Sequence, residues 1–188
     1  MRLPLLALAA LLLAAPAWTA PPAYAPGAAA QARPLPPVQR MERHFLRISA
    51  GNLAFQADAS RLAAARSSSP AVQELARVLL ERQQEVQPQL VRLLHARGMA
   101  WPLVDPKHAR LLKQLSRLQG AKFDRLYVDE VVLRTGQADI ANHEKVARDA
   151  QDPALRSWAD RQLPTLRMQV ARGGRALPGG VLRGQRAV

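Results

Sequence analysis

Over residues 41–172, apolar side chains return every three or four positions and nowhere alternate strictly, so this stretch is committed to helices that bury one face each. No Asn-Gly or Asp-Gly dipeptide separates β-branched runs, which removes the usual hairpin signal. Three helix starts are punctuated alike. Ser69-Pro70, Asp105-Pro106 and Asp152-Pro153 each put a side-chain acceptor at the N-cap and a proline, with φ already set, at the first turn.

The stripes follow from these starts. A first helix carries Phe45, Ile48, Asn52, Phe55, Ala59 and Leu62 on one face. A second, over 70–97, carries Val72, Leu75, Leu79, Val86, Leu90 and Leu93, and Gly98 stops it. A short third helix is predicted over 106–118, and a long fourth over 121–150 that buries Phe123, Tyr127, Val131 and Ala138. The fifth, over 153–172, presents Leu155, Trp158, Ala159, Leu166 and Val170. Pro88 and Pro164 are expected to bend the helices that contain them. Four long amphipathic helices and one short one cover each other's stripes as an antiparallel bundle, so the predicted class is all-α, a four-helix bundle with one additional short helix.

The ends read differently. Residues 1–20 begin Met1-Arg2, run through apolar residues 3–15 and close on small residues, which is a secretory signal pattern with cleavage between about 17 and 32. That apolar run is shorter than the roughly 20 residues a membrane span needs, so no transmembrane span is expected once the signal is removed. Residues 21–40, rich in Pro and Ala, read as a disordered leader, and 173–188 as a disordered basic tail, leaving 41–172 as one helical domain. The chain of 188 residues has no cysteine, which excludes disulfides, thiol catalysis and cysteine-held metal. Its formal net charge of +13 directs attention to acidic partners.

Several short blocks occur together: Ser68-Ser69-Pro70-Ala71-Val72, residues 120–127 (Gly-Ala-Lys-Phe-Asp-Arg-Leu-Tyr), Asp152-Pro153-Ala154-Leu155, and Leu163-Pro164-Thr165-Leu166-Arg167. In order and spacing they resemble the bacterial envelope family called domain of unknown function 4142, over residues 45–171. The resemblance implies a secreted, ferritin-like helical bundle located in the periplasm or outer envelope, and it implies no activity. It also marks departures. Gln83, Thr135 and Gln169 stand where the family pattern has histidines, and Gln56 where it has a glutamate.

Gln56, Gln83, Thr135 and Gln169 fall on or beside the buried stripes and are the candidate inward polar positions, read as a hydrogen-bonded seam that fixes register or, less plainly, as the relic of a ligand site. A carboxylate-bridged di-metal centre needs Glu-x-x-His on two helices, and the sequence contains none. His44, His95, His108 and His143 are expected at the solvated surface, and Asp58, Glu81, Glu130 and Asp139 are expected to lack histidine partners. No catalytic, cofactor or metal residue is assigned, and no nucleophile elbow or phosphate loop is present. Arg77, Arg82, Arg92, Arg97, Arg175, Arg183 and Arg186 are the candidate anion-binding residues, for weak association with anionic lipid or lipopolysaccharide. Aromatic residues that would stack bases do not interleave with them, so no specific nucleic acid is expected. The functional reading is a non-enzymatic structural, stress-related or binding module. A metal-binding or oxidoreductase protein of ferritin-like ancestry is the alternative, and a polyanion-binding envelope factor a weaker one.

Overall fold

The computed structural model describes residues 34–177, so the expectations for the signal, most of the leader, and Arg183 and Arg186 lie outside the described residues. All regular structure among the described residues is helical. The elements are α1 (Pro37–Arg66), α2 (Pro70–His95), α3 (Pro106–Leu115), α4 (Gly120–Leu126), a π-helical segment (Tyr127–Arg134), α5 (Thr135–Asp149) and α6 (Pro153–Gly173). No helix among them is long and apolar enough to cross a membrane.

The three N-caps form as their chemistry requires. The Ser69 hydroxyl accepts from the Val72 amide, the Asp105 carboxylate from Lys107 at 2.7 Å, and the Asp152 carboxylate from Ala154 at 2.8 Å and Leu155 at 3.3 Å. Gly98, just past α2, takes φ 60°, and Gly120 opens α4 at φ 59°, left-handed values that glycine adopts without a Cβ penalty. α2 and α6 run on through Pro88 and Pro164.

α1 starts at Pro37, so the last residues of the predicted leader are helical. Its first turns are held because buried Glu42 accepts from the amides of Gln151 (2.9 Å) and Asp152 (3.1 Å), just ahead of α6. At the far end, Ala176 is buried and Leu177 packs on the core, so the predicted tail begins with residues that belong to the fold.

The main departure from the predicted pattern lies in the fourth helix. It is one long rod from Gly120 to Asp149, but its middle is wound as a π-helix, with bonds to the fifth residue back. Each π turn takes up more residues than an α turn, so the inward stripe beyond it is displaced. A period of 3.6 carried on from Val131 puts Ala138 inside. In the structure Ala138 is exposed and Gly136, Asp139, His143 and Val146 are buried, a displacement of one residue. The expected surface position of His143 is corrected by the same shift.

α1 pairs most extensively with α2, and α5 with α6. Side-chain contacts show α1 running antiparallel to the long rod. Ser67 donates to Asp124 at 2.6 Å, Ser60 and Tyr127 share a 2.8 Å bond, the Gln56 amide reaches the Val131 carbonyl at 3.4 Å, and Asn52 donates to Asp139 at 2.6 Å. Two apolar clusters, each mixing aliphatic and aromatic side chains, form the core. One joins Phe55, Leu75, Leu79, Leu115, Phe123 and Tyr127; the other joins Phe45, Leu53, Val86, Leu90, Leu155 and Trp158. On α2, Arg82 falls between Leu79 of the first cluster and Val86 of the second, and it marks the level of a polar layer.

Candidate functional site

The polar layer is built from buried side chains of three elements: Asn52 and Gln56 on α1, Arg82 on α2, and Asp139 and His143 on α5. Arg82 is 7% exposed, Asp139 3% and His143 1%. An ion buried to this degree persists only if other charges and hydrogen bonds compensate it.

Asp139 has two such partners. The Asn52 amide donates to Oδ1, and the Arg82 guanidinium adds favourable charge; burial still outweighs both and pushes the carboxyl up to about 6. Arg82 is pulled below the ordinary arginine range by burial, with Asp139 and Glu85 opposing that. His143 lies one helical turn beyond Asp139. Its Nδ1 is 2.7 Å from the Asp139 main-chain oxygen, and since a carbonyl only accepts, neutral His143 carries its proton on Nδ1. Burial, aided by the Arg82 charge and opposed by that hydrogen bond, lowers its pKa to about 4. The ring meets Phe45 edge-on at 4.9 Å and Trp158 at 5.6 Å. At neutral pH the layer thus holds a cation, a carboxylate and a neutral imidazole, and in mild acid the carboxylate takes up a proton.

The candidate polar positions divide. Gln56 is buried with its amide on the Val131 carbonyl, and Gln169 is buried on α6 with no hydrogen-bond partner for its Nε2. Gln83 is half-buried and bonds Gln87 along its own helix, and half-buried Thr135 gives its hydroxyl to the Glu130 carbonyl at 2.8 Å, inside the π segment. The histidines divide too. His44 and His95 are exposed, but His108 is half-buried and stacks on Phe55 with centroids 4.1 Å apart.

Two expectations are corrected here. Arg82 cannot bind an external anion, because it sits in the core. Asp139 does have a histidine at helical spacing, and the pair reaches the interior because the π segment turns it there. The i, i+4 spacing of Asp139 and His143 is visible in the sequence; which face it occupies is not.

The donor set suits a cation poorly. Among the described residues no three His, Asp or Glu side chains gather as ligands, one Asp139 oxygen is engaged by Asn52, and the guanidinium opposes a second positive charge.

The arginines proposed for anions are also partly engaged. Arg77 binds Glu74 and Glu81, and Arg97 pairs with Asp152, whereas Arg92 and Arg175 are exposed. Arg43 donates to the Arg97 carbonyl, closing the same end of the molecule.

A family model described as domain of unknown function (DUF4142) matches residues 25–174. No curated protein and no solved structure matches the chain.

Proposed function

Since the chain belongs to the DUF4142 family, we propose that it is a secreted helical module of the bacterial envelope, non-enzymatic, with its four long helices arranged as a ferritin-like antiparallel bundle. The polar layer then serves to hold the helices in register. Arg82 carries this reading: a guanidinium buried beside Asp139 fills with protein charge the level at which a metal-binding bundle gathers carboxylates and imidazoles. Buried ionic groups that cost stability are best known for specifying register. The Arg2-led apolar run supports secretion, and the intact mass of the protein recovered from the envelope tests it: a shortened N-terminus agrees, a chain starting at Met1 does not.

One observation favours the alternative of a metal-binding or oxidoreductase protein, namely the buried Asp139 and His143 one turn apart with His143 Nε2 free of a hydrogen-bond partner. Elemental analysis of purified protein separates the two readings. The structural reading expects far less than stoichiometric transition metal and a melting temperature unchanged by iron, manganese or zinc. Stoichiometric metal with a melting temperature that rises with metal concentration overturns it.

A further inference from the structure

Part of the +13 charge is paired locally, and exposed bases without an ion pair remain on several helices, Arg47, Arg92 and Arg172 among them. Arg61, Arg77, Arg97, Arg134, Lys145 and Arg167 are each paired with an acid. Lys107, Arg110 and Lys113 on α3 are exposed, and no ion pair among the described residues takes them up. α3 itself contains no acid; the Asp105 carboxylate at its N-cap accepts from the Lys107 amide and stays ionised, so the three bases outnumber the one acid beside them.

The orientation of α3 is fixed from beneath. His108 stacks on Phe55, Leu111 and Leu112 pack on the core, and Leu115 is fully buried. At 100° per residue these define one face; Arg110 and Lys113 lie opposite it and Lys107 at its edge. Immediately before them in the chain, Leu103 is 94% exposed and Val104 58%, in a loop whose Trp101 is tucked against the core. Two adjacent aliphatic side chains standing in water beside three unpaired bases form an amphipathic surface with no use inside this fold.

We propose that this loop and the solvent face of α3 dock the protein on bilayers containing anionic lipid, Leu103 and Val104 entering the interface while Lys107, Arg110 and Lys113 meet headgroup phosphates. Charge complementarity selects this occupant. A second copy of the chain would bring the same three bases against their own kind, and a nucleic acid would find aliphatic tips where it needs stacking faces. Apolar insertion and basic contacts are the two signals that together hold a peripheral protein on a membrane. The inference takes from the envelope reading only the presence of a membrane, and its test is independent of secretion.

The test is co-sedimentation of the purified protein with phosphatidylglycerol–phosphatidylcholine vesicles and with pure phosphatidylcholine vesicles, at low and high salt. Binding is expected to the anionic vesicles alone. Reversing the three bases (Lys107→Glu, Arg110→Glu, Lys113→Glu) should lower partitioning by about 100-fold, at about fivefold for each base near the surface. Leu103→Asp with Val104→Asp should lower it at least about tenfold through lost apolar insertion. All five sites are exposed, so melting temperatures should match the parent and any loss reads docking. Equal binding to neutral vesicles overturns the proposal, as does no binding at all. Binding that survives the base reversals places the surface elsewhere. Binding that survives the Asp pair reduces it to plain adsorption of a basic protein. A dimer abolished by the Asp pair, with no vesicle binding, assigns the surface to a second copy.

Discussion

Asp139 and His143 titrate in opposite senses within one pH window, and this makes the polar layer testable by stability alone. The Asp139 carboxyl moves from 3.8 to about 6 on folding. The folded state therefore holds the extra proton between those values, and stability from this group is full below 3.8 and is lost as pH rises to about 6. His143 moves from 6.5 to about 4, so its contribution is full above 6.5 and is lost as pH falls to about 4. At 1.36 kcal/mol per pH unit each interval amounts to about 3 kcal/mol, and both side chains are buried, so solvent screening does little to reduce it. The two slopes nearly cancel in the native protein. In Asp139→Asn only the histidine term remains, because its hydrogen bond comes from the main-chain carbonyl that Asn keeps, and stability should fall by about 3 kcal/mol between pH 6.5 and 4 relative to the parent. In His143→Gln it should rise by a similar amount over the same range. Urea unfolding at a series of pH values measures this, and the acids whose pKa is lowered at the surface act alike in all three proteins. Parallel curves for parent and both variants would refute the reasoning, since they would mean that neither group is held away from water.

Arg82→Met removes the guanidinium charge that partly offsets the burial of Asp139, so the carboxyl should titrate higher and stability should fall further as pH rises toward neutrality; an unchanged pH dependence in urea would contradict coupling of the two groups. Trp158→Ala should cost about 3–5 kcal/mol, since it empties a buried site and frees the Gln89 oxygen that accepts from Nε1 at 2.9 Å; a loss below about 1 kcal/mol would place Trp158 at the surface. Gly136→Ala and Gly173→Ala should each cost about 1–3 kcal/mol in thermal melts, because the added methyl would stand 2.6 Å from Val170 Cγ2 and Val132 Cγ1 respectively; a neutral outcome would show that the helices are not in close contact there.

The helical class and the helix starts were legible because each rests on local chemistry. Ser69, Asp105 and Asp152 cap their own helices, and Phe45, Leu79, Leu155 and Trp158 face inward at a spacing the α-helix imposes. The π segment was not legible, because nothing local requires it. Its support comes from distant residues: Gln56 reaches the Val131 carbonyl from α1, and Gly173 on α6 lets Val132 approach. Thr135 adds a bond to Glu130 that also fits an ordinary helix bonding its own backbone. One unforeseen displacement then relocated every inward residue after Val132, so Ala138 was placed inside and His143 outside. The burial of Arg82 is hidden in the sequence for a different reason. Arginine is seldom buried, and the charge that favours it here, Asp139, lies on the helix whose phase is shifted.

The central claim is that the π segment turns Asp139 and His143 into the core, where Asn52 donates to the carboxylate and the Arg82 charge favours it. A pH titration of the His143 ring nitrogens by NMR tests it most directly. The account predicts a neutral ring protonated on Nδ1 that gains its second proton only as the pH approaches about 4. A ring that titrates at the ordinary 6.5, with its proton free to occupy either nitrogen, would place His143 in solvent and contradict the account.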